Sequence, residues 1–172
     1  MEEMETQEKK KVLLIKLSSL GDVVFNIPLA NALKDAGYDV ISVGKINDIF
    51  VGEGITEAHK SKSSVHGMEQ TIEIAQRDFT GLCYVNLVDF DMVYGHRNDI
   101  DGYAKAASVF DKQLAQMVAK MKDTAIVMIT ADHGCDPGYT GTDHTREYVP
   151  LLLYGNAVVS NKTNALITYP SF

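Results

Sequence analysis

Three strand-length apolar runs, residues 12–17, 82–88 and 125–130, constrain this chain most, because each is separated from the next by a stretch able to form helix. Runs with little alternation suit strands covered on both faces, and strand–helix–strand order predicts parallel pairing with right-handed crossovers. Between the first two runs, Pro28 fits the first turn of a helix whose apolar stripe is Leu29, Ala32, Leu33 and Ala36, stopped by Gly37. Residues 38–43 read as a second strand, and 44–64, rich in Gly, Ser and Lys, as a flexible loop holding at most one short helix. Met68, Ile72 and Ala75 mark a further helix, and Ala107, Phe110, Leu114, Met117, Val118 and Met121 one face of a long helix over 101–121. That long crossover predicts that 82–88 and 125–130 are neighbours. The last strand, 149–154, starts where Pro150 limits pairing.

The reading is an α/β fold, a three-layer sandwich around a mostly parallel sheet. Its single domain covers 12–155, after a charged flexible tail at 1–11 and before a divergent segment at 156–172. With 172 residues and 45% hydrophobic content the chain can bury one core. A net charge of -7 argues against wrapping nucleic acid and leaves no polybasic membrane patch. The charged N-terminus does not read as a signal peptide, so a cytoplasmic protein is expected. Two cysteines, Cys83 and Cys135, make no disulfide framework. Cys83 reads as core filling. Cys135 follows an Asp-His pair, yet hard-oxygen metal sites seldom recruit thiolate.

Carboxylates and imidazoles gather where two of the predicted strands end. Asp89 and Asp91 follow the 82–88 run, with His96 close behind; Asp132 and His133 follow 125–130, with His144 beyond. Oxygen and nitrogen donors of this kind hold divalent ions in hydrolytic and phosphoryl-transfer sites, and open α/β sheets bind ligands beyond the carboxyl ends of their strands. Asp91 and His96 are five apart, an offset that separates residues around a helix, so a loop turning at Gly95 is expected to fold back. Adjacent Asp132 and His133 would diverge from an extended backbone, which suits two ions better than one. Asp89, Asp99, Asp136 and Asp143 read as helix caps or as partners that orient ligating imidazoles, and His59 and His66 lie outside any motif.

The stretches NLVDFDMVYGHRND from Asn86, TADHGCDP from Thr130 and DHTREYVPLL from Asp143 resemble phosphopentomutases, members of the alkaline phosphatase superfamily. The resemblance begins near Asn31, runs through VGKINDIFVGEGIT from Val43, and ends at about Gly155. It implies a cytoplasmic, manganese-dependent enzyme that interconverts (deoxy)ribose 1-phosphate and (deoxy)ribose 5-phosphate, serving nucleoside catabolism and pentose phosphate supply. Asp91, His96 and His144 match the ligands of one metal ion, and Asp132 and His133 those of a second. The implied partner is a phosphorylated pentose; Arg97 and Arg146 lie beside these motifs and read either as phosphate contacts or as arginines that are solvated or paired with Asp or Glu. A missing partner segment or a homo-oligomer is a further expectation.

The family also carries a first metal-binding aspartate, a threonine nucleophile and an inserted cap domain, and none is found here. Ser18 would occupy the aspartate position, so the expected fold is a truncated alkaline phosphatase-like unit without a cap, incomplete as a catalyst, whose catalytic residue is unknown. The alternative is a non-catalytic metal-binding fragment of the same fold. Residues 11–28, KVLLIKLSSLGDVV with Pro28 after it, also resemble the opening of heptosyltransferases, in which Asp22 would match a catalytic base.

Overall fold

The computed structural model describes residues 11–16, 26–158 and 167–170. Its strands are β1 (Lys11–Lys16), β2 (Asp39–Val43), β3 (Glu57–His59), β4 (Gly81–Asn86), β5 (Ala125–Thr130), β6 (Tyr148–Tyr154) and β7 (Ile167–Pro170). Helices α1 (Ile27–Asp35), α2 (Ile46–Ile49), α3 (Ser64–Gln76) and α4 (Ile100–Lys120) intervene. The strands form one seven-stranded sheet in the order β3-β2-β4-β1-β5-β6-β7, parallel from β3 to β5 and antiparallel beyond.

Strand periodicity sorts the core into two layers. Leu13, Ile15, Ile41, Val43, Cys83, Val85, Val127 and Ile129, all at odd positions, face α3 and α4 and pack on Met68, Ile72, Ala75 and Met117. Even-numbered Val40, Leu82 and Tyr84 face the other way, against Ala30, Ile46 and Phe50 of the α1 and α2 layer. All of β4 is buried, as a central parallel strand must be.

The α/β sandwich is thus as expected, with several differences of detail. β4 and β5 are parallel but are not neighbours, because β1 runs between them, with Leu13 opposite both Cys83 and Val127. The α1 stripe is rotated: Ala30 is buried, with Ile27 and Leu33 partly so, while Leu29 is 52% exposed. In α4, Ala107 is exposed and the inward stripe is Tyr103, Ala106, Phe110, Leu114 and Met117. The 44–64 loop contains a strand, β3, as well as α2. β6 starts at Tyr148, one residue before the expected start. Pro150 faces Thr168 of β7 and lies beyond the β5 ladder, which begins at Leu151, so its missing N–H costs little there. The last strand is β7, not β6.

Short edge strand β3 is held by charge. Arg77 donates two hydrogen bonds of 2.7 Å to the Glu57 carboxylate, and His59 Nε2 lies 2.6 Å from Glu57 Oε1. Arg77, and after it His59, hold Glu57 at about 2 against an ordinary 4.5. A depressed carboxylate stabilises the fold above its unfolded value and loses that contribution as pH falls toward its folded one. Acid unfolding is therefore expected to show a Glu57-dependent loss of stability between about pH 4.5 and 2. Because Glu57 is 37% exposed, Glu57→Gln should cost no more than about 1 kcal/mol at neutral pH and flatten that limb, as chemical denaturation across pH will measure.

Candidate metal centre

After β4 the chain passes buried Leu87 and enters a π-helical turn, Phe90–Tyr94, then a tight 3-10 turn, Gly95–Arg97. The Gly95 N–H reaches the carbonyls of Asp91 and of Phe90, five residues back. A π turn closes after five residues, so the same offset that would part Asp91 and His96 on an α-helix brings them together here. A wide helical turn thus replaces the folded-back loop expected from the spacing.

Asp91 is buried, and its Oδ1 lies 3.1 Å from His96 Nε2 and 3.5 Å from His144 Nε2. One donor atom from each of the three lies within 4.8 Å of the others. Atoms bound at about 2.1 Å to one ion stand about 3.0 Å apart at a right angle and about 3.4 Å apart at a tetrahedral one. The 3.1 Å contact of His96 falls between these values, and the 3.5 Å contact of His144 lies just beyond the upper one.

Proton bookkeeping agrees with a cation. His96 Nδ1 is held by the carbonyl of Thr142, and His133 Nδ1 by that of Gly134 at 2.9 Å. A carbonyl only accepts, so Nδ1 carries a proton in each ring, and Nε2 is the nitrogen turned inward toward the carboxylates. For His96 that nitrogen faces a carboxylate oxygen, an arrangement that either a ring proton or a bound cation between them satisfies. His144 is shifted toward the neutral form, chiefly by burial and then by His133, which leaves its lone pair free to bind.

The second pair stands beside this set. Asp132 and His133 do not diverge: the chain bends after Thr130, the Asp132 carboxylate is buried, and His133 Nε2 lies 3.7 Å from Asp132 Oδ1. The His133 ring stacks on His144 with centroids 3.6 Å apart, and His144 in turn lies 4.9 Å from the His96 ring. An isolated bridge between Gly134 and Thr145 holds the outgoing and returning chain together and sets the stack.

Cys135 Sγ lies 3.7 Å from Asp91 Oδ1, and its pKa is raised to about 11 by burial and then by the Asp91 charge. It meets Asp91 as a protonated thiol. A cavity of about 220 Å³ opens beside Asp91 and His133, with Tyr103, Cys135, Asp136 and Glu147 in its wall. Three carboxylates around so small a space would repel an anion unless cations neutralise them.

Of the other acidic residues, Asp89, Asp99 and Asp136 have structural partners, while Asp143 is exposed. Asp89 accepts from Ser64 N at 2.7 Å at the start of α3, Asp99 caps α4 through Gly102 N, and Asp136 accepts from Gly138 N. His59 belongs to the Glu57 pair and His66 accepts from Lys62 N, both away from the metal set. Arg97 and Arg146 are exposed, Arg97 donating to Met92 O at 3.4 Å. The spacing argument missed Glu147 and Asn98. No side-chain pattern marks either, since Glu147 closes the cavity from the strand side and Asn98 acts on backbone carbonyls.

A family model described as the metalloenzyme superfamily matches residues 12–168. Among curated proteins, the chain is 54% identical over 168 residues to a phosphopentomutase of Agathobacter rectalis, covering 92% of this chain and 42% of that protein. It is 64% identical over 124 residues to a phosphopentomutase of Clostridium perfringens, covering 72% of this chain and 31% of that protein. The chain thus spans well under half the length of these relatives. Among solved structures, a Pyrococcus horikoshii protein superposes with a TM-score of 0.62 at 15% identity, over 78% of this chain and 42% of that one. A Leishmania mexicana phosphoglycerate mutase, crystallised at low cobalt concentration, gives 0.58 at 17% identity, over 76% and 32%. The phosphopentomutase resemblance is therefore supported, and residues 12–28 lie inside the family match. With β1 at the centre of the same sheet, the heptosyltransferase likeness of that opening finds no support.

Close packing ties the π turn to the second loop: a Cβ on Gly95 would collide with the Cys135 sulfur. Gly95→Ala is expected to cost roughly 1–3 kcal/mol through overpacking. In the Gly95→Ala/Cys135→Ala double variant the total should be less than the sum of the single costs, a coupling that urea denaturation will read.

Proposed function

Because the chain belongs to the metalloenzyme superfamily, we propose that it carries the metal-binding part of a phosphopentomutase-type phosphotransferase acting between (deoxy)ribose 1-phosphate and (deoxy)ribose 5-phosphate. The convergence of Asp91, His96 and His144 carries this reading. Its context is an identity of 54% to 64% with the two phosphopentomutases. Asp91, His96 and His144 would hold one divalent ion and Asp132 with His133 a second, both manganese, within a unit over residues 12–155. The substrate is a phosphorylated pentose, and the setting is the cytoplasm. No helix among the described residues is long and apolar enough to cross a membrane.

Bound there, two divalent cations would neutralise phosphoryl oxygens and clamp the entering and leaving oxygens. The chain's own groups do the preparation. Backbone carbonyls hold Nδ1 of His96 and of His133, partial desolvation shifts His144 toward its neutral form, and the acidic wall of the cavity repels an anion that arrives without cations. Thr130 Oγ donates to the neighbouring Ala131 carbonyl at 3.2 Å, which does not favour it as a nucleophile. Ser18 lies outside the described residues.

Calorimetric titration with Mn²⁺, run beside conversion of ribose 1-phosphate to ribose 5-phosphate, tests the proposal. Wild type should bind Mn²⁺, and Asp91→Ala and Asp132→Ala should each weaken binding by more than the roughly 10–100-fold lost with an outer partner. Absence of Mn²⁺ binding by wild type would sink the reading. Binding without conversion would reduce the chain to a metal-binding unit that does not turn over by itself.

A further inference from the structure

The Asn98 side chain occupies a ring of backbone carbonyls. Its Nδ2 lies 3.2 Å from Pro137 O, 2.9 Å from Tyr139 O and 2.9 Å from Gly141 O, all in the loop that leads to His144. A primary amide has two protons, so the three carbonyls share them through a bifurcated bond. One residue pair earlier, His96 Nδ1 takes the next carbonyl of the same loop, that of Thr142. Asn98 is in the left-handed region, at φ 53 and ψ 32, which asparagine tolerates better than most residues. It stands between the tight turn carrying His96 and the Asp99 cap of α4, so both neighbours are fixed.

We propose that Asn98 is a positioning residue that clamps the 137–142 loop and thereby holds His144 against Asp91 and His96 before any metal arrives. This inference rests on the metal reading above. Asp91 and His96 come from one short segment, whereas His144 comes from a loop exposed along much of its length and stands 3.5 Å from Asp91 Oδ1. Beside the packing of Cys135 on Gly95, the two segments are joined by a set of four carbonyls turned inward and bound by His96 and Asn98. Without the amide, three of those carbonyls lose their donors and the loop gains freedom that metal binding must then remove.

Two substitutions separate the amide from the backbone. Asn98→Gly accepts the left-handed conformation and removes the donors; Asn98→Asp keeps the shape and turns a carboxylate oxygen toward the carbonyls. Mn²⁺ calorimetry on the full chain should show about a tenfold loss of affinity for Asn98→Gly and a larger one for Asn98→Asp. Hydrogen exchange of the amides over 138–145, measured in metal-free protein, should accelerate in the same order, with thermal unfolding little changed. A purely conformational role for Asn98 predicts three equal proteins. Equal Mn²⁺ affinities, or a loss of affinity with unchanged exchange in the loop, would overturn the clamp. If wild type takes up no Mn²⁺, the metal reading fails, and exchange in the metal-free variants still decides whether Asn98 holds the loop.

Discussion

The carboxyl ends of β4 and β5 lie two strand spacings apart, about 10 Å, because β1 runs between them, and the site answers to that gap. No single strand end can gather the ligands. Asp91 and His96 are carried inward by a π turn, and Asp132 and His133 by a bend after β5. His144 returns on a loop that must come back anyway, since β6 pairs antiparallel with β5 and starts only at Tyr148. Sheet order thus accounts for why the donors come from three separate places in the sequence, and why ring stacking links His133, across the seam, to His144.

Much of this was legible in the residues, and the parts that were not share a physical cause. β5 was readable to its ends, and the central strands followed from unbroken apolarity, because burial on both faces leaves no other composition. β3 was invisible, for Glu57, Ala58 and His59 carry no strand signature and are held by pairing with β2 and by Arg77. The rotation of α1 went unseen because Leu29 and Ala30 are both apolar, and only the contact surface decides between them. Strand order is a tertiary fact: a long helical crossover says parallel, but it does not say how many strands it skips.

At the site, residue types were readable and their geometry was not. A five-residue offset is a poor match to an α-helix, and the chain resolves it by changing the helix rather than by leaving it. The Asp132-His133 pair was expected to splay because β-geometry alternates, yet the alternation ends with the strand, and Asp132 and His133 lie past Thr130. Asn98 carries no signal at all in the sequence, since it recognises main-chain oxygens, which every residue possesses.

Main-chain oxygens also set the electrostatics. The carbonyls of Gly134 and Thr142 hold the Nδ1 protons of His133 and His96, so the same loop that delivers His144 decides which nitrogen the other two histidines turn inward. A loop displaced by a few ångströms would lose His144 and, in the same motion, free His96 to take the wrong tautomer. Ligand position and ligand protonation are therefore coupled through one backbone segment. Where donors come from three segments, such coupling makes assembly of the set more nearly all-or-none than separate anchoring of each histidine would.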